Sequence, residues 1–412
     1  MKTKTVAILG AGNRGMDVYG ELIKERDDLQ VVAVAEKDKI RREKFAKKHS
    51  IPPIKQFKNW EDLLIEDKLA DGIIISTGDK QHFEPLIKSL KKGYKVLCEK
   101  PITDSFENLT ALYNDYKDYS NNVMVSHVLR YTPFFRKIKE IITSEEIGSV
   151  RFVSLIENIG FFHFAHSYVR GNWRNKEVGA PIILAKSCHD LDILYWLFES
   201  PYLKVYSDTS EKYFNEKNIL NGAGERCLAC KVEEDCPYSA KKIYLNTEDG
   251  WPVSTITEDL SHKGRIEALN NTRYGRCVYR SDNDQHDVQS LLLKFKNGIN
   301  VHFSLHAFSK EMTRKIHING SHGEIEGDLD QGIIEVKPFL KENKKIEVDF
   351  KGGHAGGDEK LIESFADFLF NRSKNRTNLI TSLESHFAAL AAEQSRKEDK
   401  AIYLDQFRRR SN

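Results

Sequence analysis

No apolar run in this chain approaches the roughly 20 residues that a membrane-spanning helix needs. The opening stretch MKTKTVAILGAGNRG breaks from a short apolar run straight into glycines. That is not the apolar segment of a secretory signal, so a cytoplasmic protein without a membrane partner is expected. An excess of charge of one sign is missing too: 63 Lys and Arg against 61 Asp and Glu give a net charge of +2. No basic footprint for nucleic acid results. Internal repeats and low-complexity tracts are also lacking. Cysteine is scarce, with 6 in the chain, and in a reducing compartment clustered cysteines are more often metal ligands than disulfide partners. What is present is a globular composition, 40% hydrophobic and 30% charged, over 412 residues. That length exceeds one ordinary core, and two domains are expected.

The first part of the chain alternates. KTVAILGAGNRGMDVYGELIKERDDLQVVAVAEKD reads as strand, glycine turn, helix and strand, with Val6, Ala7, Ile8 and Leu9 a continuous apolar run. Val18, Leu22 and Ile23 share one face of the helix. DGIIIST (71–77), FEPLIKSLKKG and YKVLCEKP repeat the strand, helix and strand, which implies a parallel, doubly wound sheet. Beyond Val150 the texture changes. VRFVSLIENIG, QSLLLKFKNGINVHFSLHAF, RKIHINGSHGEIEGDL and GIIEVKPF read as strands separated by turn signals, including Asn-Gly at 297–298 and 319–320. Helices are expected at about 189–199, 358–372 and 383–395. A polar, irregular insertion at about 207–285 holds most of the cysteines and is expected to be functional or stapled.

Gly10, Gly12 and Gly15 fit G-x-G-x-x-G between a strand and a helix. Such glycines make the tight turn, admit a pyrophosphate to the backbone and let helix and sheet pack closely. The helix N-terminus then offers free N–H groups to the phosphates. Glu36 ends the second strand, where a carboxylate accepts the ribose hydroxyls and repels a 2′-phosphate. NAD is the expected cofactor; Lys37, Arg41 and Arg42 lie near enough in sequence to keep NADP open. The residues thus divide into an NAD-binding Rossmann domain at 1–122 and a second α/β domain at 123–412.

The glycine turn together with CEKPIT (98–103), RYTPFFRKIKEII (130–142) and CHDLDILYWLF (188–198) resembles the Gfo/Idh/MocA oxidoreductases, NAD(P)-dependent enzymes acting on sugars, inositols and related polyols. The resemblance implies a Rossmann domain followed by a substrate-binding α/β domain with a large, mostly antiparallel open sheet. In the family that sheet also serves oligomerisation, so a homodimer or homotetramer is expected. By position, Lys100 is the lysine of the Glu-Lys-Pro motif, His189 the acid/base histidine and Asp192 the aspartate three residues later. An ammonium beside the reacting hydroxyl favours alkoxide character, and Pro101 holds Lys100 extended. Histidine titrates near neutrality, as a base collecting a hydroxyl proton should. On a helix His189 and Asp192 share a face, so the carboxylate can orient the imidazole. Asn13, Arg14, Thr77, His82 and Glu99 are the remaining candidate cofactor contacts. The chain departs from the family at Ala185, where most members carry an aspartate, and at Lys186, which joins the catalytic candidates.

Substrate candidates are Arg130, Tyr131, His166, Arg170, Trp173 and Arg174, a lining suited to a polyhydroxylated ring; His354 can reach the same place. Cys227, Cys230, Cys236 and Cys277 have the spacing of a structural zinc site, with a disulfide, a reduced cluster or an iron–sulfur centre as alternatives. Cys98 and Cys188 sit in apolar runs and are expected to be inert. The function expected is hydride transfer from a secondary alcohol of a sugar, cyclitol or sugar derivative to NAD. Two rivals use the same parts: a glycosidase working by transient oxidation, elimination and re-reduction, and a non-catalytic NAD-binding regulator.

Overall fold

A computed structural model describes residues 3–409. Short Val- and Ile-rich runs form six parallel strands: β1 (Lys4–Leu9), β2 (Leu29–Ala35), β3 (Gln56–Phe57), β4 (Gly72–Ile75), β5 (Lys95–Cys98) and β6 (Val123–Val125). Their order is β3-β2-β1-β4-β5-β6, which reverses direction between β1 and β4. Doubly wound sheets bind ligands at the carboxyl ends of the strands beside that reversal. Every residue of β4 and β6 is buried, as a strand covered on both faces requires. β6 lies just past the expected boundary at residue 122 and still belongs to the first sheet. Its outer edge is covered by the segment around Thr377, whose carbonyl accepts the Val125 N–H at 2.8 Å, so this edge is not left bare to pair with another chain.

One face of this parallel sheet is covered from far along the chain. Leu361, Ile362, Phe365, Ala366 and Leu369 of the helix Gly353–Phe370 pack with Val6, Ile8, Val34, Ile74, Leu97 and Met124. Gly72 permits the approach, because a Cβ there would stand 2.7 Å from Leu369 Cδ2. The two halves therefore share a core.

The second sheet has nine strands: β7 (Val150–Asn158), β8 (Tyr202–Thr209), β9 (Val288–Phe295), β10 (Asn300–His306), β11 (Thr313–Gly320), β12 (Gly323–Asp328), β13 (Ile333–Pro338), β14 (Lys344–Glu347) and β15 (Ile402–Tyr403). The order is β14-β13-β12-β11-β7-β10-β9-β8-β15, and all pairs but β7–β10 are antiparallel. The helices Cys188–Phe198 and Leu379–Glu398 pack against each other, and the latter lies along β8. Gly298 turns β9 into β10 with φ +92°, as its Asn-Gly signal predicts. The second Asn-Gly is not a turn. Asn319 and Gly320 remain in β11 and the chain reverses at 321–322; Gly320 is needed because a Cβ would fall 2.1 Å from the Ile147 carbonyl oxygen. The insertion is less irregular than its sequence suggests. It begins within β8 and contains the helices Ala240–Tyr244 and His262–Asn271. No helix among the described residues is long and apolar enough to cross a membrane.

Candidate active site

The three glycines behave as their motif requires. Gly10 has φ +93° and sits where a Cβ would come within 2.6 Å of the Ser76 carbonyl oxygen. A Cβ on Gly15 would fall 2.0 Å from the Gly10 oxygen, whereas one on Gly12 would meet nothing within 4 Å. That open face at Gly12, at the start of the helical stretch Asn13–Gly20, fits a pyrophosphate. The carboxylate of Glu36 is fixed at the end of β2 by the backbone N–H groups of Ala11 (2.8 Å) and Asp38 (2.9 Å). Arg41 contacts it at 3.2 Å and Arg42 donates to its backbone oxygen at 2.6 Å. These residues fit a bound dinucleotide. Asn13 donates to Asp17. His82 is buried between the carbonyls of Pro101 (2.6 Å) and Thr77 (3.0 Å) and ties the loops after β4 and β5 together.

Arg14 does something its motif does not announce. Its guanidinium donates to Glu99 (2.7 Å) and spans both oxygens of Asp358 (2.8 and 3.2 Å). Burial pushes the Glu99 carboxyl up, but Arg14, Lys100 and the Tyr19 hydroxyl outweigh it and hold it at about 2. Asp358 also receives His354 Nδ1 at 2.9 Å, a contact to a carboxylate that places the proton on Nδ1 and leaves Nε2 free. His354, Ala355 and Gly356 are all left-handed, with φ of +48°, +53° and +78°. Two non-glycine residues in that region store strain, a common mark of a working site.

At the carboxyl end of β5 Lys100 precedes a cis Lys100–Pro101 peptide. Its Nζ donates to the Ala185 carbonyl at 2.6 Å, an acceptor at the end of the short helix Ile182–Ala185 where backbone oxygens lack helical partners. Ala185, the position where the family resemblance leads one to expect an aspartate, thus offers Lys100 its backbone. His189 lies in the first turn of the next helix and is buried. Burial, then the charges of Lys100, His127, His354 and Arg314, hold it well below the ordinary value of 6.5. Its ring stands 6.0 Å from those of His127 and His354.

Asp192 does not orient His189. Both its oxygens are taken by Arg130, with Nε at 2.7 Å, and His189 Nδ1 has no hydrogen-bond partner. Burial raises the Asp192 carboxyl to about 6 against the pull of Arg130. Arg130 also donates to the Arg376 carbonyl at 2.8 Å, and Tyr131 meets Thr377 at 3.1 Å. Both are braces under the site, not substrate ligands. Lys186 is half-buried, with Glu157 at 3.1 Å, and desolvation lowers its pKa despite that partner. Glu157 in turn binds Arg314 (2.9 Å), which binds Asp190 (2.6 Å).

Of the other substrate candidates, Trp173 donates from Nε1 to Asp79 at 2.8 Å. Asp79 follows β4, and burial raises its carboxyl while Lys100 and His82 lower it. Arg174 pairs with Asp282 at 3.0 Å. His166 is a satisfied core histidine. Nδ1 takes the Tyr244 hydroxyl at 2.9 Å and Nε2 reaches Thr255 at 3.2 Å, while burial drives its pKa to about 3. Arg170 is fully buried and points away, toward the cysteines. Cys227, Cys230, Cys236 and Cys277 line one cavity and are all free thiols. Among the described residues the one set of three metal-capable atoms within 4.8 Å of one another is His317, Glu324 and Glu326 on β11 and β12. Lys337 and Asn319 already occupy those carboxylates.

Sequence reading missed Asp79, Glu157, Arg314 and Asp358. Two of these were signalled. Glu157 shares the inward phase of Val153 and Leu155, and Arg314 that of Ile316 and Ile318; opposite charges at facing core positions mark a buried pair.

A dinucleotide sheet whose strand ends carry a lysine facing a neutral histidine from a second domain defines a nicotinamide-dependent oxidoreductase. The comparisons agree. Residues 4–127 match the oxidoreductase family, NAD-binding Rossmann fold, and residues 139–404 match the oxidoreductase family, C-terminal alpha/beta domain. The chain belongs to the Gfo/Idh/MocA family. YteT of Bacillus subtilis (strain 168), whose name assigns it only provisionally to the oxidoreductases, is 24% identical over 412 residues, 94% of each chain. Inositol 2-dehydrogenase of Corynebacterium glutamicum (strain R) is 23% identical over 69% of this chain and 80% of its own. An oxidoreductase from Agrobacterium radiobacter, solved with NAD+, L-tartaric acid and magnesium, superposes with a TM-score of 0.69 at 15% identity, covering 98% of this chain and 99% of that one.

Proposed function

We propose that the protein oxidises a secondary alcohol of a sugar, cyclitol or sugar derivative and passes the hydride to NAD. The observation that carries this reading is Lys100, pinned by the Ala185 carbonyl at 2.6 Å, beside the buried neutral His189. His189 takes the hydroxyl proton while the Lys100 ammonium stabilises the alkoxide that develops. In this reading Lys186, with its lowered pKa, and His354, through Nε2, hold neighbouring hydroxyls. Bound NAD would supply the hydride acceptor, C4 of its nicotinamide. Glu36 favours NAD over NADP, because Arg41 and Arg42 are drawn onto Glu36 itself and a 2′-phosphate would meet its carboxylate.

Net oxidation is favoured over the redox glycosidase because relatives matched over most of their length carry oxidoreductase and dehydrogenase names. The test is incubation with NAD and a panel of free sugars, inositols and aryl glycosides, followed by near-ultraviolet absorbance. NADH accumulating with a free polyol is expected. Aglycone release without NADH would overturn the reading in favour of the glycosidase, and NAD binding without any turnover would favour a regulator.

A further inference from the structure

The cysteine cavity plays no part in hydride transfer. It measures about 20 Å³, room for one small ion, and Cys227, Cys230, Cys236 and Cys277 all face it. The chain brings them together by specific contacts. An antiparallel bridge pairs Arg226 with Arg276, the residues just before Cys227 and Cys277, and the Cys277 N–H donates to the Glu225 carbonyl at 2.9 Å. Between Cys227 and Cys230 a tight turn closes with the Cys230 N–H on the Cys227 carbonyl at 3.3 Å.

Two donors point at the sulfurs. The Gly224 N–H lies 3.5 Å from Cys230 Sγ, and an Arg170 N–H lies 3.5 Å from Cys227 Sγ. Arg170 is the stronger clue. It is fully buried, and its other donors meet only neutral groups, the carbonyls of Arg276 and Tyr238, both at 2.8 Å, and the Tyr244 hydroxyl. Among the described residues no carboxylate is within ion-pair distance of it; Glu233, also on the cavity wall, is held by Lys241 at 2.8 Å. A buried cation without a counter-charge is strongly unfavourable. Four thiolates around a divalent ion carry a net charge of minus two and supply that counter-charge.

We propose that Cys227, Cys230, Cys236 and Cys277 bind one structural zinc ion, with Arg170 as the charged neighbour of the site. The sulfurs stand wider than the edge of about 3.8 Å that a zinc tetrathiolate requires, since no three of them lie within 4.8 Å of one another. Closing the site takes an inward rotation of the cysteine side chains onto the cavity they already line. Zinc rather than a hard cation follows from an all-sulfur donor set. With four protein ligands no coordination position stays open, so the ion holds the insertion together and takes no part in chemistry.

Elemental analysis of the untagged full-length protein tests this. About one zinc per chain is expected, together with cobalt-substituted protein showing thiolate charge-transfer bands and tetrahedral d–d absorption. Cys230→Ser and Cys277→Ser should each lower zinc content at least severalfold, whereas Cys98→Ser should retain it. Wild-type zinc content and the cobalt spectrum decide the matter even if the serine variants do not fold. Metal-free protein with all four thiols titrating, a disulfide among the four, or a brown iron chromophore would each overturn the proposal, and none depends on which alcohol is oxidised.

Discussion

His189 is kept neutral by its position: a buried imidazole beside the Lys100 ammonium is better off without its proton. Its folded pKa is depressed below 6.5, so the base form is fully populated at neutral pH and is lost only in acid. The acidic limb of the kcat/KM profile is therefore expected below the ordinary histidine range. A limb at or above that range that vanishes in His189→Asn would sink the assignment. The same substitution should lower kcat by roughly 10²–10⁴-fold, as loss of a general base does, and leave NAD affinity, read by fluorescence titration, nearly unchanged. Glu99 is shifted in the same direction, in a more acidic window. Its folded pKa of about 2 lies below the ordinary 4.5, so its contribution to stability is complete above that value and disappears as pH falls from 4.5 toward 2. The shift corresponds to an order of 3 kcal/mol. Urea midpoints measured across that window should be flatter with pH in Glu99→Gln than in the wild type; parallel curves would refute the shift.

The helix Gly353–Phe370 is where the two halves are bolted. It fills one face of the parallel sheet, and Arg14 in the glycine turn clamps its Asp358 while holding Glu99. Removing the guanidinium in Arg14→Ala takes from the buried Glu99 and Asp358 carboxylates the cation they share, which costs about 3 kcal/mol. Chemical denaturation measures this. Because the groups share one network, Arg14→Ala combined with Asp358→Ala should cost clearly less than the two single losses added, and strict additivity would show the clamp to be idle. Little of this arrangement was legible beforehand. β1, β4 and β5 were, because a run such as Val6–Leu9 between turn residues has few other readings, and the lysine–histidine site followed through family resemblance. The cover of one sheet by a helix some 290 residues later leaves no periodic trace. β14 and β15, four and two residues long, are too short to show alternation. Arg170 was misplaced for a related reason: its spacing from Trp173 is local, but its target at Cys227 is set by the folding of the insertion.

At the scale of the whole molecule, the nine-stranded sheet has one face covered by helices and, among the described residues, one that is largely solvated. Alternation sends Val153, Leu155, Leu291 and Leu293 inward, so the residues between them look outward, as they do in any antiparallel sheet with one wet face. Here that outward face is not uniformly polar. Leu292 at 60% exposure and Phe152 at 42% stand on β9 and β7, the two strands that flank β10. Large apolar side chains exposed on an otherwise solvated sheet fit an interface, and we propose a second copy of the chain as its occupant. A stable pair buries about 800 Å² on each partner. Light scattering of the wild type should give the mass of a dimer or tetramer. Leu292→Asp with Phe152→Glu places like charges across the contact and should shift the mass to that of one chain, with the circular dichroism spectrum kept. A monomeric wild type, or a double variant that keeps its assembly, would remove the outer face from consideration and turn the search to the helical side.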